Sequence, residues 1–563
     1  MTATGDGRVR HPADSVSNSM AIDPRTPVIV GVGQVTVRPD PAGDVDPAVR
    51  PEPSAVMVRA VLAAVEDCDG VAAGGSAPAG RAVLARATSL RVVKPLSWQY
   101  ANPGLLVAAG LGIEPSELVV STTGGDSPQR LVNQTALAVG RGDLDCAVLV
   151  GADCIYSQFV SRRHPDRPVL PWSTQGPDTP SPGSLGPKRK GTTDAEVAVG
   201  LDLPVHIYPL FENAVRAGAH RPLDEHRRHL GELWSRFSQV AADNPYAWLP
   251  EARTWEDIAL PGEANRMVDY PYTKLLTANM QVDQGAALLL CSVAVAEAAG
   301  VPRDRWVFPL SGADADDHWY LSHRADFHSS PAVRLAAGAA LVQVSATIDD
   351  VAHLDLYSCF PSAVEITAAE LGLPVDDPGR PLTVTGGMTF AGGPGNNYGT
   401  HAIATVVDRL REDPGSLGLT TGVGWYLSRH SVGVYGTSPR PGPAIAGRPA
   451  ARGGPPARGG PRAGGTVVVD AAGFRWADPQ AAVAALPQCS PDAEAVGEVT
   501  VETYSVSYER DGALAAGVVA CLTPDGRRAW ARVTDPDHLA ELVAEEGCGR
   551  LGFLREDGAI DLR

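Results

Sequence analysis

Leu118-Val119-Val120-Ser121-Thr122-Thr123-Gly124-Gly125-Asp126-Ser127-Pro128-Gln129 and Leu382-Thr383-Val384-Thr385-Gly386-Gly387-Met388-Thr389-Phe390-Ala391-Gly392-Gly393-Pro394-Gly395-Asn396-Asn397-Tyr398-Gly399 share one form: an apolar run, a glycine turn, then helix. A β-branched run that ends in glycine reads as a buried strand feeding a tight turn. Ser127 suits a helix N-cap and Pro128 the first helical position. The recurrence points to a duplicated α/β architecture.

Working outward, Pro27 to Gln34 reads as a first buried strand, Ser54 to Val65 as a helix, Pro128 to Val139 as a helix and Asp145 to Val150 as another strand. Strands alternate with helices, as in a helix-covered parallel sheet. Between about Ser157 and Thr273 the pattern changes to Pro, His, Arg and Trp with long helical pieces such as Leu223 to Ala241, which reads as an insertion. Strands return at Gln284 to Cys291 and at His353 to Tyr357, and Gly422 to Leu427 with Ser431 to Gly436 close the core.

Ser438 to Gly465 is built of Gly, Pro and Arg with almost nothing to bury, the composition of a flexible linker. Beyond it, five strand-like pieces (Thr466 to Asp470, Glu498 to Tyr508, Leu514 to Leu522, Arg527 to Val533, Leu551 to Leu554) and a helix near Pro536 to Glu545 predict a small, mobile OB-like β-barrel. The expected division is therefore a disordered segment 1–25, an N-terminal half 26–157 with 274–302, the insertion 158–273, a C-terminal half 303–437, the linker 438–465 and a β-domain 466–563.

Composition narrows function. The 563 residues exceed what one core usually fills, and 44% hydrophobic with 20% charged residues is ordinary for a globular chain. A net charge of −18 opposes general nucleic-acid binding, since the overall field repels phosphate. The eight cysteines are scattered without a C-x-x-C pair or a metal-ligand cluster, so no metal is expected and reduced thiols in the cytoplasm fit. No stretch reads as a signal peptide or membrane span.

With Tyr357-Ser358-Cys359-Phe360 and Thr420-Thr421-Gly422-Val423-Gly424, the two glycine turns resemble, in order and spacing, the four active-site loops of the thiolase superfamily. The nearest likeness is to the sterol-carrier-type thiolases and the actinobacterial thiolase-like proteins. The resemblance spans roughly Pro27 to Gly436 and implies a duplicated αβαβα fold and acyl-CoA chemistry of the acetyl-CoA acetyltransferase kind, a transferase activity of lipid metabolism. It also implies no bound cofactor, with a coenzyme A thioester as substrate or ligand. Such enzymes use a cysteine at a helix N-terminus, where dipole and donors favour thiolate.

Matched residue by residue, the family's catalytic positions fall on Gly124 for the nucleophile, Tyr357 for the water-holding residue of the oxyanion hole, Gly393 for the activating histidine and Thr420 for the acid/base cysteine. None of the four keeps its usual side chain, which argues against ordinary thiolase turnover. Ser127 and Cys359 are possible substitute nucleophiles, with an N-cap and a packed thiol as the plainer readings. His401, two turns past Gly393, is too far round to replace the histidine.

Gly124, Gly125, Gly392, Gly393 and Gly395 either offer backbone N–H groups to a thioester oxygen or phosphate, or simply allow tight turns. Asn279, Gln281, Asp283 and Gln284 are expected to brace the loops. For the CoA phosphates the insertion offers Arg216, His220, Arg221, Arg227, Arg228 and His229, with Lys274 after it, although such a charge run is more often a solvated helix face, here with Asp224, Glu225 and Glu232 alongside to pair with it. The functions in view are an acyl-CoA acyltransferase of altered chemistry, or a non-catalytic acyl-CoA-binding or scaffold protein. Expected partners are acyl-CoA and either a second copy or another thiolase-pathway protein. A lower alternative is nucleic-acid binding through the C-terminal domain, with Tyr504, Tyr508 and Trp530 as stacking candidates.

Overall fold

Nine consecutive buried residues in Cys146–Cys154 and ten in Asp283–Ser292 mark strands covered on both faces, and these are the centre of the first sheet. The computed structural model describes residues 22–39, 50–70, 78–166, 169–440 and 466–563. In chain order its N-terminal part contains β1 (Pro27–Thr36), β2 (Ser89–Val92), β3 (Glu117–Ser121), β4 (Cys146–Cys154) and β5 (Gly183–Leu185). The insertion adds β6 (Met267–Tyr270) and β7 (Tyr272–Thr273), and β8 (Asp283–Ser292) returns to the core. The sheet runs β1-β8-β4-β2-β3-β5, antiparallel from β1 through β8 to β4 and parallel from β4 outward.

The second half repeats this pattern with β9 (Phe308–Asp316), β10 (Val351–Asp355), β11 (Leu417–Gly424) and β12 (Arg429–Gly436). Here β9 and β12 are antiparallel, β12 and β11 antiparallel, and β11 and β10 parallel. The order β9-β12-β11-β10 thus mirrors β1-β8-β4-β2, and the duplication read from the glycine turns is a structural fact. Helices Ser127–Arg141 and Tyr398–Glu412 each pack on strands of both sheets, while Pro53–Asp67 and Pro331–Gln343 cover the outer faces. The result is the layered αβαβα arrangement.

The start of the first central helix differs from expectation. Asp126, not Ser127, occupies the N-cap position, and Ser127 lies inside the helix, its hydroxyl donating to the Thr122 carbonyl at 2.9 Å. The first residue after the glycine turn is still drawn into the turn's own hydrogen bonding. At the far end Gly142 takes the left-handed conformation that ends the helix.

The stretch expected to begin the C-terminal domain belongs elsewhere. β13 (Val467–Ala471) and β14 (Phe474–Asp478) form a hairpin whose second strand pairs in parallel with β9, so the second sheet has six strands. Buried Phe474 packs with Ala136 and Leu137 of the central helix, and Trp476 Nε1 donates to Asp314 at 2.6 Å. Residues 441–465 of the predicted linker, and 1–21 of the predicted N-terminal segment, lie outside the described residues.

The remaining strands are β15 (Gly497–Tyr508), β16 (Leu514–Leu522), β17 (Arg528–Val533), β18 (Leu551–Leu554) and β19 (Ile560–Leu562), in the order β17-β16-β15-β18-β19. Among the described residues no ladder closes this sheet into a barrel. Its outer edges meet at a single parallel bridge between Arg532 and Ala559. Nor does it hang free: β6 of the insertion adds to β15, Arg216 holds Glu546 at 2.5 Å, and Asn213 donates to the Tyr504 carbonyl at 2.9 Å. The stacking candidates are consumed in this packing. Tyr504 is fully buried against Tyr270, Tyr508 is half-buried, and Trp530 Nε1 donates to Ser322 at 3.0 Å. Among the described residues no helix is long and apolar enough to cross a membrane.

Candidate functional site

The turn that carries Gly124 is closed from within. Gly124 has φ 151° and donates its N–H to Asn396 Oδ1 at 3.0 Å. A side chain there would overlap Asp126 Oδ1 and lie 3.0 Å from an Arg429 Nη1. Those two residues form an ion pair at 2.7 Å with both side chains fully buried, and Arg130 adds a second contact to Asp126 at 3.1 Å. Arg429 also donates to the Thr123 carbonyl at 3.1 Å. Burial holds the Arg429 guanidinium below its ordinary pKa, with Asp126 opposing that effect. Where the resemblance places a nucleophile, the chain has a charged strut. Sequence reading missed both partners; only the Asp126–Arg130 spacing of four was visible.

Gly125 and Tyr357 are brought together. A Cβ on Gly125 would overlap the Tyr357 hydroxyl and come 2.7 Å from the Val423 carbonyl, so only glycine lets the ring settle there. The Tyr357 N–H donates to Thr421 Oγ1 at 2.9 Å and its ring meets Tyr398 edge-on at 5.7 Å. Burial pushes the Tyr357 phenol well above its ordinary pKa, which keeps it neutral.

Thr420 does not join this group. It lies in the middle of β11 opposite Asp355 and Gly433, and its hydroxyl donates to Gln129 Oε1 at 2.6 Å, an oxygen that Tyr435 also bonds at 2.6 Å. Alternation along the strand turns Thr421, not Thr420, toward Tyr357. The fourth matched position therefore braces the central helix.

Gly392, Gly393 and Gly395 serve close approach. Side chains at Gly392 and Gly395, both at positive φ, would overlap Gln284 Oε1 and Asp153 Oδ2 respectively. The Gly393 N–H is spent on the Asn279 carbonyl at 2.9 Å, so it does not point free into a cleft. The polar turn braces as expected: Gln284 donates to the Ala391 carbonyl at 2.9 Å, Asp283 accepts from the Ser157 N–H and hydroxyl at 3.0 and 2.6 Å, and Gln281 N–H bonds Asn279 Oδ1 at 3.2 Å. His401 is buried in the central helix against Gln34 at 2.8 Å, and burial pushes it down to about 3, hence neutral.

Neither substitute nucleophile is activated. The Ser127 hydroxyl is committed to the Thr122 carbonyl. Burial pushes the Cys359 thiol up to about 12, so at neutral pH it is protonated. In the native protein at pH 8, iodoacetamide is expected to leave Cys359 unmodified, and to alkylate it after denaturation in urea. Peptide mapping that finds native Cys359 alkylated would refute this assignment.

Most of the predicted phosphate-binding residues are engaged elsewhere. Arg228 is exposed and pairs with Glu232 at 2.8 Å, Arg227 pairs with Asp224 at 3.1 Å, and His229 meets Glu365 at 2.9 Å. Arg216 holds Glu546, as above, and His220 sits in the turn after the helix Pro204–Gly218 at φ 51°. Arg221 donates to His226 Nδ1 at 2.8 Å, which requires His226 Nε2 to carry its proton and donate to Glu212 Oε1 at 2.9 Å. Glu212, His226 and Glu365 have the spacing of a metal cage. The tautomer imposed by Arg221 instead leaves the imidazole no lone pair for an ion.

The exposed cations near the loops come from other segments. A cavity of about 730 Å³ is walled by Tyr156, Trp248, Asn279 and Thr389 and carries Arg163, Arg266, Lys274 and Arg510. Among the described residues none of these four cations has a carboxylate within salt-bridge distance, although Glu263 is also in the wall. Lys274 alone was foreseen. Arg510, in the turn between β15 and β16, brings the C-terminal domain into the same wall. Asn279 ties the cavity to Gly393, and Ala278 N–H bonds the Cys359 carbonyl at 3.0 Å.

The family model for the additional C-terminal domain of type 1 thiolase-like proteins matches residues 478–559, beginning where β14 ends. The crystal structure of a monomeric SCP2-thiolase-like protein type 1 from Mycobacterium smegmatis is 30% identical, spans 96% of this chain and 100% of its own, and superposes with a TM-score of 0.75. The Ltp2-ChsH2(DUF35) aldolase, 20% identical over 73% of this chain and 98% of its own with a TM-score of 0.53, shares the fold. No curated protein matches.

Proposed function

Because the chain belongs to the SCP2-thiolase-like proteins of type 1, we propose that it binds acyl-CoA thioesters without ordinary thiolase turnover. The observation that carries this reading is the cavity of about 730 Å³, with four cations that among the described residues have no carboxylate within salt-bridge distance, joined through Asn279 to the loop of Gly393. The nucleotide phosphates would meet Arg266, Lys274, Arg163 and Arg510, and the adenine has Tyr156 and Trp248 for stacking. The acyl end would run toward Asn279 and Thr389. Arg221 and Arg228 have no part in it.

Against catalysis stand the Asp126–Arg429 pair in the nucleophile's place and the uncharged, committed Ser127 and Cys359. A retained scaffold with a lost reaction makes a carrier, sensor or partner subunit for acyl-CoA. Calorimetric titration with acetyl-CoA is the test: an Arg266→Ala/Lys274→Ala variant should bind about tenfold or more weakly while melting at the wild-type temperature. Unchanged affinity would remove CoA from this cavity. A covalent acyl-enzyme by intact mass would overturn the non-catalytic reading and favour acyl transfer of altered chemistry.

A further inference from the structure

A second cavity, of about 420 Å³, lies past the C-terminal ends of the parallel strands β2 and β3, beside the start of the short edge strand β5. Val120 and Ser121 end β3 and Thr122 and Thr123 follow it, Gly183 and Ser184 open β5, and Lys94 follows β2. The carboxyl ends of parallel strands are where open α/β sheets gather ligands. Trp425, from the turn between β11 and β12, forms another wall. We propose that this cavity binds a small phosphate monoester.

Its charge is the first reason. Lys94, Lys188 and Arg189 line it, the lining contains no Asp or Glu, and among the described residues none of the three cations has a carboxylate within salt-bridge distance. In a chain of net charge −18 with many paired arginines, three unpaired cations around one cavity form a local positive field that attracts a dianion. Arg189 is also held in place: its guanidinium lies over the Tyr320 and Trp319 rings at 4.4 and 4.9 Å, and Nε donates to Tyr320 Oη at 3.2 Å. A cation positioned by ring faces is preorganised for an anion.

The wall supplies the second reason. Thr122 Oγ1 and Trp425 Nε1 are buried polar atoms without a hydrogen-bond partner, and both residues line the cavity. Native structures leave few such groups, and they call for a ligand or water. Trp425 also stands at φ 56°, a left-handed conformation that costs a large side chain energy and tends to persist where a site requires it. Its ring gives a flat apolar face for the organic part of the monoester.

No residue of this cavity belongs to the one assigned to acyl-CoA, so the two readings fail separately. The test titrates the full-length protein at low ionic strength with adenosine 5′-monophosphate and with inorganic phosphate. Binding of the nucleotide should weaken about tenfold in a Lys188→Glu/Arg189→Glu variant, whose altered residues are exposed, and weaken as salt is raised. Lys94→Ala, on a different loop, should lower affinity in the same direction. Arg266→Ala/Lys274→Ala should leave it unchanged. Tighter nucleotide than phosphate binding would assign the organic part to Trp425. Absence of binding by either probe, wild-type affinity in both the Lys188/Arg189 and the Lys94 variants, or loss only in the Arg266/Lys274 variant overturns the proposal.

Discussion

Replacement of Asp126 by alanine is expected to destabilise the fold by about 3–5 kcal/mol, because it strands a buried guanidinium without its counter-charge. Arg429 is fully buried and meets Asp126 at 2.7 Å; Arg130 shares the same carboxylate. The strut also spans the duplication, since Asp126 stands at the N-cap position of a central helix of the first half while Arg429 opens β12 of the second. A double variant, Asp126→Ala/Arg429→Met, should recover much of the loss, as apolar replacement of a whole buried pair is often close to neutral. Urea unfolding of Asp126→Ala, Arg429→Met and the double variant measures the coupling. A single-variant loss below about 1 kcal/mol would mean that solvent reaches the pair and that it is an ordinary surface contact.

Replacement of Arg528 by alanine is expected to loosen the C-terminal domain from the core at a cost of about 3 kcal/mol. This side chain is fully buried, grips Glu502 through two bonds of 2.7 Å, donates to the Leu321 carbonyl at 3.0 Å, and lies over the Phe327 ring at 4.6 Å. It therefore joins β17 to β15 and both to the segment after β9. The substitution leaves Glu502 and several carbonyls without their donor. Hydrogen exchange should show faster opening of β15 to β17 with little change in β4, β8, β11 and β12. Arg532→Ala, an exposed change on the same strand, is the control and should leave exchange unchanged. Equal acceleration throughout the chain would instead make the two parts one cooperative unit.

The extent of several elements was written locally, although the strand read at Gly422 to Leu427 is Leu417–Gly424 with a turn over 425–428, and the apolar run at Leu382 to Thr385 forms no strand. Leu514–Leu522 and Leu551–Leu554 form as read, and the strand at Glu117–Ser121 and the helix Ser127–Arg141 differ from expectation by only a few residues. Hydrophobic period and punctuation by Gly and Pro act over a turn or two, and those signals need no distant partner. Thr466 to Asp470 was likewise recognisable as a strand. Its neighbour was not: the choice of β9 over the terminal sheet depends on where an edge is open, which no local pattern encodes.

The site divides in the same way. That Gly124 and Gly393 lack reactive side chains follows from the sequence once the paired glycine turns are aligned with the thiolase loops. The sequence also contains the polar turn from Asn279 to Gln284 that braces those loops. Tertiary structure alone decided that Asp126 and Arg429 fill the space at Gly124, that Thr420 faces Gln129, and that Arg221 and Arg228 are engaged while, among the described residues, Arg163, Arg266 and Arg510 around one cavity have no carboxylate within salt-bridge distance. Whether a charged residue is a strut, a surface pair or a ligand donor depends on which opposite charge folding places within a few ångströms, because Coulomb energy and desolvation are set by distance and burial and not by order along the chain.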